Sequence, residues 1–343
     1  MTQVVNSSSV ISNYLVLRIW TLIQIVSAIL WMQNFNNQSF AIILLAPSLF
    51  SILMIRNLIK NTDFKLNYFD FSIIGYFFVL IISHLFNGLP YSTRLVTWIF
   101  IVSSWFFCRI AQNNYSHSKL DIYLTTLLIC ILSLIIETND NVLSISLAAF
   151  IVLLSSRHSD LATAMLIVLL FIAQFVYEND SSLIVFPLAL SIVLVGRARA
   201  LAIILLICCT IFLYSKRINY NLPLGERDSF LVQSIRAFQE SPVVGRASCS
   251  TYFTSILPNG KLFYHQHGHN IITTNICETG SLGVFPLLLF LYAILTTWSS
   301  MVFHQKFFWS LFGTWSFFDD PFNFIPIVAL TGALLNLFTN LKK

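Results

Sequence analysis

Residues 282–303 run for 22 positions without one acidic or basic side chain. Coiled as a helix, that stretch is about 33 Å long, enough to cross a hydrocarbon core of about 30 Å. Comparable apolar stretches recur along the chain, at roughly 14–32, 40–55, 68–86, 95–107, 121–136, 142–155, 161–177, 182–196, 200–214, 282–303, 307–318 and 324–339. Several are shorter than a full span. Short stretches predict broken or half-length helices, whose freed backbone groups must be met by protein or by a wet cavity.

Composition agrees. Hydrophobic residues make up 57% of the 343 and charged residues 10%, against roughly a quarter charged in average soluble proteins. So few charges do not cover the surface of a water-soluble fold, which excludes an ordinary globular domain, a disordered chain and a nucleic-acid-binding domain. The expected fold is an all-α polytopic membrane protein of about twelve transmembrane helices with one large loop containing short helices. Residues 1–214 would carry about nine spans, 215–281 the loop, and 282–343 the last three spans. Met1–Asn13 is polar, and the apolar span after it reads as a retained helix rather than a signal peptide. Cys108, Cys130, Cys208 and Cys209 fall in or beside apolar stretches and read as small core residues.

The connecting segments sort by charge. Arg56, Lys60 and Lys65 follow the second stretch, Arg109 and Lys119 the fourth, Arg157 the sixth, and Arg197 with Arg199 the eighth. Lys306 follows the tenth, and Lys342 with Lys343 the twelfth. Odd-numbered exits carry Glu137 and Asp140, Glu178 and Asp180, and Asp319 and Asp320. Short cytoplasmic loops favour Lys and Arg, so both termini are expected in the cytoplasm and residues 215–281 outside it. Arg94 is the exception, a basic residue in a short outer loop.

Ten charged residues lie in 215–281. A long polar excursion on a compact bundle usually carries function. Its first part places Leu231, Ile235 and Phe238 at helical spacing, before Ser241-Pro242 ends the helix. That predicts a short amphipathic helix on the membrane surface or over a cavity mouth, with Arg227 at its start and Arg236 on a more polar face. Further on, His265, His267 and His269 stand within five residues. Imidazoles so spaced suit either a metal or proton transfer. The metal reading lacks a fourth ligand at the right spacing, with Glu278 the nearest carboxylate. Glu278 otherwise orients an imidazole or is a helix N-terminal acid. Gly280 and Gly283 open the tenth stretch, where small residues permit close helix approach. Cys249 and Cys277 are both expected in the outer compartment, although spacing alone does not show that they pair.

The run His269-Asn270, nine residues, then Gly280-Ser281-Leu282-Gly283 resembles the signature of the O-antigen ligase and O-antigen polymerase superfamily of bacterial envelope proteins. Arg227 followed by Ser241-Pro242-Val243-Val244-Gly245 looks like that family's Arg, helix, Pro and Gly pattern. The motif likeness covers 227 to 283, and the twelve-span layout extends it to the whole chain. One departure stands out. The family usually has Gly-x-Gly after the Pro, and here Arg246 and Ala247 follow Gly245. A second Arg, upstream of the loop in a Ser-Arg setting, is matched by Ser156-Arg157. The charge sorting nevertheless puts Arg157 on the cytoplasmic side, and Arg197 and Arg199 share that difficulty.

The resemblance implies a glycosyltransferase of the bacterial inner membrane. The donor would be a glycan on undecaprenyl pyrophosphate, and the acceptor a lipid A-core sugar or another glycan. His269 would be the base and Arg227 the diphosphate clamp. Arg157, Arg236, Arg246, His267, Asn270 and Glu278 would be secondary substrate contacts, with Pro242, Gly245, Gly280 and Gly283 shaping the motif. Family members are regarded as metal-independent, so no metal or other cofactor is implied. The partners would be donor, acceptor and membrane lipid, with no nucleic acid. A polymerase joining lipid-linked repeats shares the site. A transporter without chemistry is the reading from another class. Against it, few acidic or His side chains lie within the spans, and the notable ones, Asp70 and His84, sit near span ends.

Overall fold

The computed structural model describes residues 45–59, 65–89, 92–111, 180–220, 227–248, 254–256, 262–264, 270–301 and 303–317, together with Ile23 and Ser27. The described helices are α1 (Leu45–Ile59), α2 (Tyr68–Phe86), α3 (Thr93–Ala111), α4 (Asp180–Val193) and α5 (Gly196–Tyr220), then α6 (Arg227–Glu240), α7 (Ile271–Thr279), α8 (Val284–Thr297) and α9 (Phe303–Trp315). A 3-10 turn over Gly280–Gly283 joins α7 to α8. Between α6 and α7, β1 (Thr254–Ile256) pairs antiparallel with β2 (Leu262–Tyr264), Ser255 opposite Phe263.

Among the described residues, three helical stretches are long and apolar enough to cross a membrane: Tyr68–Phe86, Gly196–Ser215 and Ile271–Ser300. Arg94–Phe107 and Leu183–Val193 are shorter apolar helices. The expected stretches at 121–136, 142–155, 161–177 and 324–339 lie outside the described residues, as does all of 14–32 except Ile23 and Ser27. Two details differ from expectation. The long loop holds a β-ribbon as well as a helix, so the described residues are helical with one small exception. And the helix leading into the tenth stretch begins at Ile271, inside the segment expected to be loop.

Helices α2 and α8 turn their large apolar residues outward, unlike helices of a soluble protein. The buried stripe of α2 is Asp70, Ser72, Ile73, Tyr76, Leu80, Ser83 and His84. Its outward residues include Phe71, Phe78, Leu85 and Phe86, the last two about three-quarters exposed. On α8 only Pro286 and Ala293 are buried, while Phe285, Leu288, Leu291 and Leu295 face out. Small and polar residues inside with large apolar ones outside is the pattern of helices packed within lipid, where close approach and hydrogen bonds hold the bundle.

The chain divides into two compact units, one of 1–65, 96–138 and 325–343, the other of 66–95 and 139–324. In the first, α3 buries Val96, Trp98, Phe100, Ile101, Trp105 and Phe107, and α1 buries Ser48 and Ser51. In the second, α2 packs on α8, α4 on α5 and α9, and α6 on α7. Phe69 of α2, Phe290 of α8 and Trp309 of α9 meet with ring centroids 5.4–5.5 Å apart. The Ser72 hydroxyl donates to the Pro286 carbonyl at 2.6 Å, binding α2 to α8 lower down. Asp70, one of the few acids within an apolar stretch, forms a reciprocal capping box with Asn67 and starts α2.

Candidate functional site

The two halves of the sequence motif lie 35 positions apart at Gly245 and Gly280, and the fold brings them into backbone contact. After α6 the chain turns through Ser241–Val244 and runs past the end of α7. There the Arg246 N–H donates to the Cys277 carbonyl at 2.8 Å and the Ala247 N–H to the Glu278 carbonyl at 2.9 Å. In return, the Ser281 and Leu282 N–H groups donate to the Pro242 and Val243 carbonyls at 2.9 and 3.1 Å. The broken helix between α7 and α8 is thus sealed by a polypeptide segment, which answers the demand that freed backbone groups be satisfied.

Glycine is required on both sides of this clasp. Gly245 (φ 67) and Gly280 (φ 58) hold left-handed backbone. A Cβ at Gly245 would come within 2.5 Å of the Glu278 carbonyl oxygen, and one at Gly280 within 2.7 Å of the Gly245 nitrogen. Gly283 makes room differently: a Cβ there would meet the Asn275 amide oxygen at 2.6 Å. That oxygen already accepts the Thr279 hydroxyl at 2.8 Å. Ala247 also takes positive φ, at 62°. The departure from Gly-x-Gly therefore keeps the left-handed backbone that a glycine adopts freely.

Asn270 caps α7. Its extended backbone (φ −157°, ψ 159°) and its side-chain oxygen, which accepts the Thr273 N–H at 2.8 Å, define the helix start. The Asn of the His-Asn pair therefore sets where the helix carrying it begins. At the other end of α7, Glu278 is buried and accepts the Arg94 Nε–H at 2.9 Å. Arg94 is itself only 8% exposed. Glu278 is not an N-terminal acid of its helix but sits in the last turn of α7, beside a buried cation. The Ser83 hydroxyl adds a bond to the Glu278 carbonyl at 2.7 Å. Asn87, ending α2, donates to the carbonyls of Ser83 (2.8 Å) and Gly245 (3.0 Å). His84 is buried one position on. Its Nδ1 lies 2.8 Å from the Leu80 carbonyl, and its Nε2 lies 2.5 Å from the Ser92 hydroxyl. With Nδ1 carrying the proton, Ser92 donates to Nε2 while accepting the Leu95 N–H at 3.1 Å, which caps the start of α3.

The remaining expected site residues separate. Arg227 opens α6; its side chain lies outside the described residues, as do Arg157, His265, His267 and His269. Arg236 is exposed on α6 and Pro242 is exposed in the turn. Arg197 and Arg199 are exposed at the start of α5. Arg246 pairs with the Glu240 carboxylate. Cys277 is a free thiol, buried against Phe230 and Ala237. Among the described residues no group of three or more His, Cys, Asp or Glu is placed to hold a metal ion.

Sequence reasoning passed over Arg94, Ser83, His84 and Asn87 as site residues. Arg94 did carry a signal, since it alone broke the charge sorting. Its burial against Glu278 explains why a cation is tolerated there. Family models, curated proteins and solved structures were all compared with the chain, and none matches.

Proposed function

We propose that this chain is an O-antigen ligase-like glycosyltransferase of the bacterial inner membrane. It would move a glycan from undecaprenyl pyrophosphate to a lipid A-core or related acceptor hydroxyl on the periplasmic side of a twelve-span bundle, with both termini cytoplasmic. One observation carries the reading. Pro242, Gly245 and Gly280, three positions of the motif likeness, meet at a single hydrogen-bonded clasp at the end of α7, and Gly283 follows in the turn into α8. The helix so held begins at Ile271, with Asn270 as its cap and His269 the next residue before it in sequence. The meeting of Arg94 with Glu278 further supports a common side for the α2–α3 turn and the long loop, as the charge sorting expects.

The chemistry follows from the residues assigned. The acceptor oxygen attacks the anomeric carbon as its proton passes to His269, and the bond to the diphosphate oxygen breaks. The leaving group departs as undecaprenyl pyrophosphate, already stable as an anion, so a base and fixed cations suffice. Arg227 fits the clamp because guanidinium keeps its charge and grips phosphate oxygens in pairs. Attack without a covalent intermediate inverts the anomeric centre.

The test is His269→Ala in the host, with lipopolysaccharide resolved on a gel. The expected result is loss of every capped species while long glycan accumulates on undecaprenyl pyrophosphate. Core carrying a single repeat would assign the chain to the polymerase branch. An unchanged ladder would rule out both enzymes and leave the transporter.

A further inference from the structure

Helix α6 presents more than the two faces of a simple amphipathic helix. Measured from Phe230 at about 100° per residue, the buried Phe230, Ser234 and Ala237 fall at about 0°, 40° and 340°. Leu231, Ile235 and Val232 fall at about 100°, 140° and 200°, each about half exposed. Arg236 and Glu240, both exposed, follow at about 240° and 280°. Gln239, also exposed, closes the apolar arc at the end of the helix. A protein-facing stripe, an apolar arc and a charged flank, side by side, suit a helix lying where protein, acyl chains and water meet.

The attachment of α6 decides what covers the arc. It is fastened to two of the helical stretches long and apolar enough to cross a membrane. The Gly245 carbonyl, just past α6, accepts an Asn87 Nδ2–H at 3.0 Å, and Asn87 ends the stretch Tyr68–Phe86. The buried stripe packs on Cys277 of α7, which opens the stretch Ile271–Ser300. Next to Asn87, Leu85 and Phe86 are 74% and 76% exposed, so the outward apolar surface of α2 runs up to the place where α6 is fastened. Val243, in the turn between α6 and Gly245, is exposed as well.

We propose that α6 is an interfacial helix, with Leu231, Val232 and Ile235 seated in the boundary between headgroups and acyl chains at the end of α2, and with Arg236 and Glu240 on its wet side. The occupant of the arc is phospholipid, held through its acyl chains and not through its charge. Arg227, Asp228, Arg236 and Glu240 are the charged residues of α6, two cations and two anions, so the helix exerts no net pull on anionic headgroups. A free peripheral helix draws on such a pull to reach a membrane. This one is already kept there by the clasp and by the Phe230 packing, so burial of a small apolar arc is enough. The inference draws on the membrane-spanning character of the neighbouring helices and on no reaction.

Spin labelling tests it. Leu231→Cys, Val232→Cys, Ile235→Cys and Glu240→Cys are made singly in the full chain stripped of its native cysteines, labelled, and reconstituted in nanodiscs of pure phosphatidylcholine. Only samples monodisperse in detergent are carried forward, and any one of the three arc positions serves if another variant fails to fold. Power saturation then compares collisions with oxygen, which concentrates among acyl chains, and with a water-soluble nickel chelate. The arc labels should sit about 5–10 Å inside the headgroup boundary, with oxygen dominant. The Glu240→Cys label should meet mainly nickel, and added phosphatidylglycerol should leave all the depths unchanged. Nickel dominant on the arc would place it in water and overturn the proposal. Weak collisions with both reagents, together with dipolar broadening between labels, would give the face to a second copy of this chain instead. Insertion that appears only with phosphatidylglycerol would overturn the acyl-chain basis of the binding.

Discussion

A methyl group added at Gly280 would stand 2.7 Å from both the Gly245 nitrogen and the Val243 oxygen, with Pro242 oxygen at 2.8 Å. None of these is a flexible side-chain tip, so the clasp itself must open. The backbone there (φ 58°, ψ −149°) is also close to a region that only glycine visits readily. Gly280→Ala should therefore destabilise by about 3 kcal/mol, combining overpacking with backbone strain. Ala247 offers the contrast. Its φ of 62° is tolerable for alanine and poor for a β-branched residue. Ala247→Gly should leave stability within about 1 kcal/mol of wild type, while Ala247→Val should lower it by more than that. Thermal unfolding in detergent checks all three. Equal melting of Ala247→Val and wild type would show that the left-handed turn is not needed. The two glycines were legible in the sequence as a motif; their reason was not, since a 35-residue separation says nothing of which backbone each one touches. Arg94 was legible only as an anomaly of charge, because its partner lies 184 positions away.

At the level of elements, α6 shows how far periodicity reaches. Helical spacing placed a helix over the segment that forms one, and Ser241-Pro242 ended it where it ends. The face turned to the protein is not the one that this spacing marks. Leu231 and Ile235 are exposed and Phe238 is half-buried, whereas Phe230, Ser234 and Ala237 are buried. The whole stripe is displaced by one residue, about 100° of rotation. Both faces carry apolar side chains, and the inward one was decided by fit: Ala237 and the small Cys277 let α6 and α7 approach, with Phe230 filling the remaining space. Hydrophobicity counts apolar residues and is blind to this choice. Phe230→Ala should cost about 3–5 kcal/mol as a cavity mutation, whereas Leu231→Ala should change stability by under about 0.5 kcal/mol. Denaturant melts of the two variants compare them directly. A Leu231→Ala loss as large as that of Phe230→Ala would return the packing face to the one periodicity suggested. The outward Leu231, Val232 and Ile235 remain available to lie against lipid, as an interfacial helix would.

Across the molecule, polarity and charge make separate statements that can be set against each other. The buried Asp70, Ser72, Ser83 and His84 of α2 and its outward Phe71, Phe78 and Phe86 fit a helix that faces lipid. The alternation of basic and acidic exits gives an expectation of which ends face the cytoplasm. Neither uses any contact, yet the contacts add a constraint: Asn87 bonds to Gly245 and Arg94 to Glu278, so the α2–α3 turn and the clasp must share one side. The turn between α4 and α5, with Arg197 and Arg199 beyond it, is expected on the other side by charge. Three exposed positions test this together: Leu89 in the first turn, Val243 in the clasp and Val195 in the α4–α5 turn. Each is changed to cysteine in a chain lacking its native cysteines, and intact cells stripped of outer membrane are treated with an impermeant thiol reagent. Leu89→Cys and Val243→Cys should react at once, and Val195→Cys only after the membrane is opened. Opposite sides for Leu89 and Val243 would break the Arg94–Glu278 contact. All three on one side would break the span count while leaving that contact intact, because the pair depends only on the two outer segments meeting, and not on how many helices lie between them.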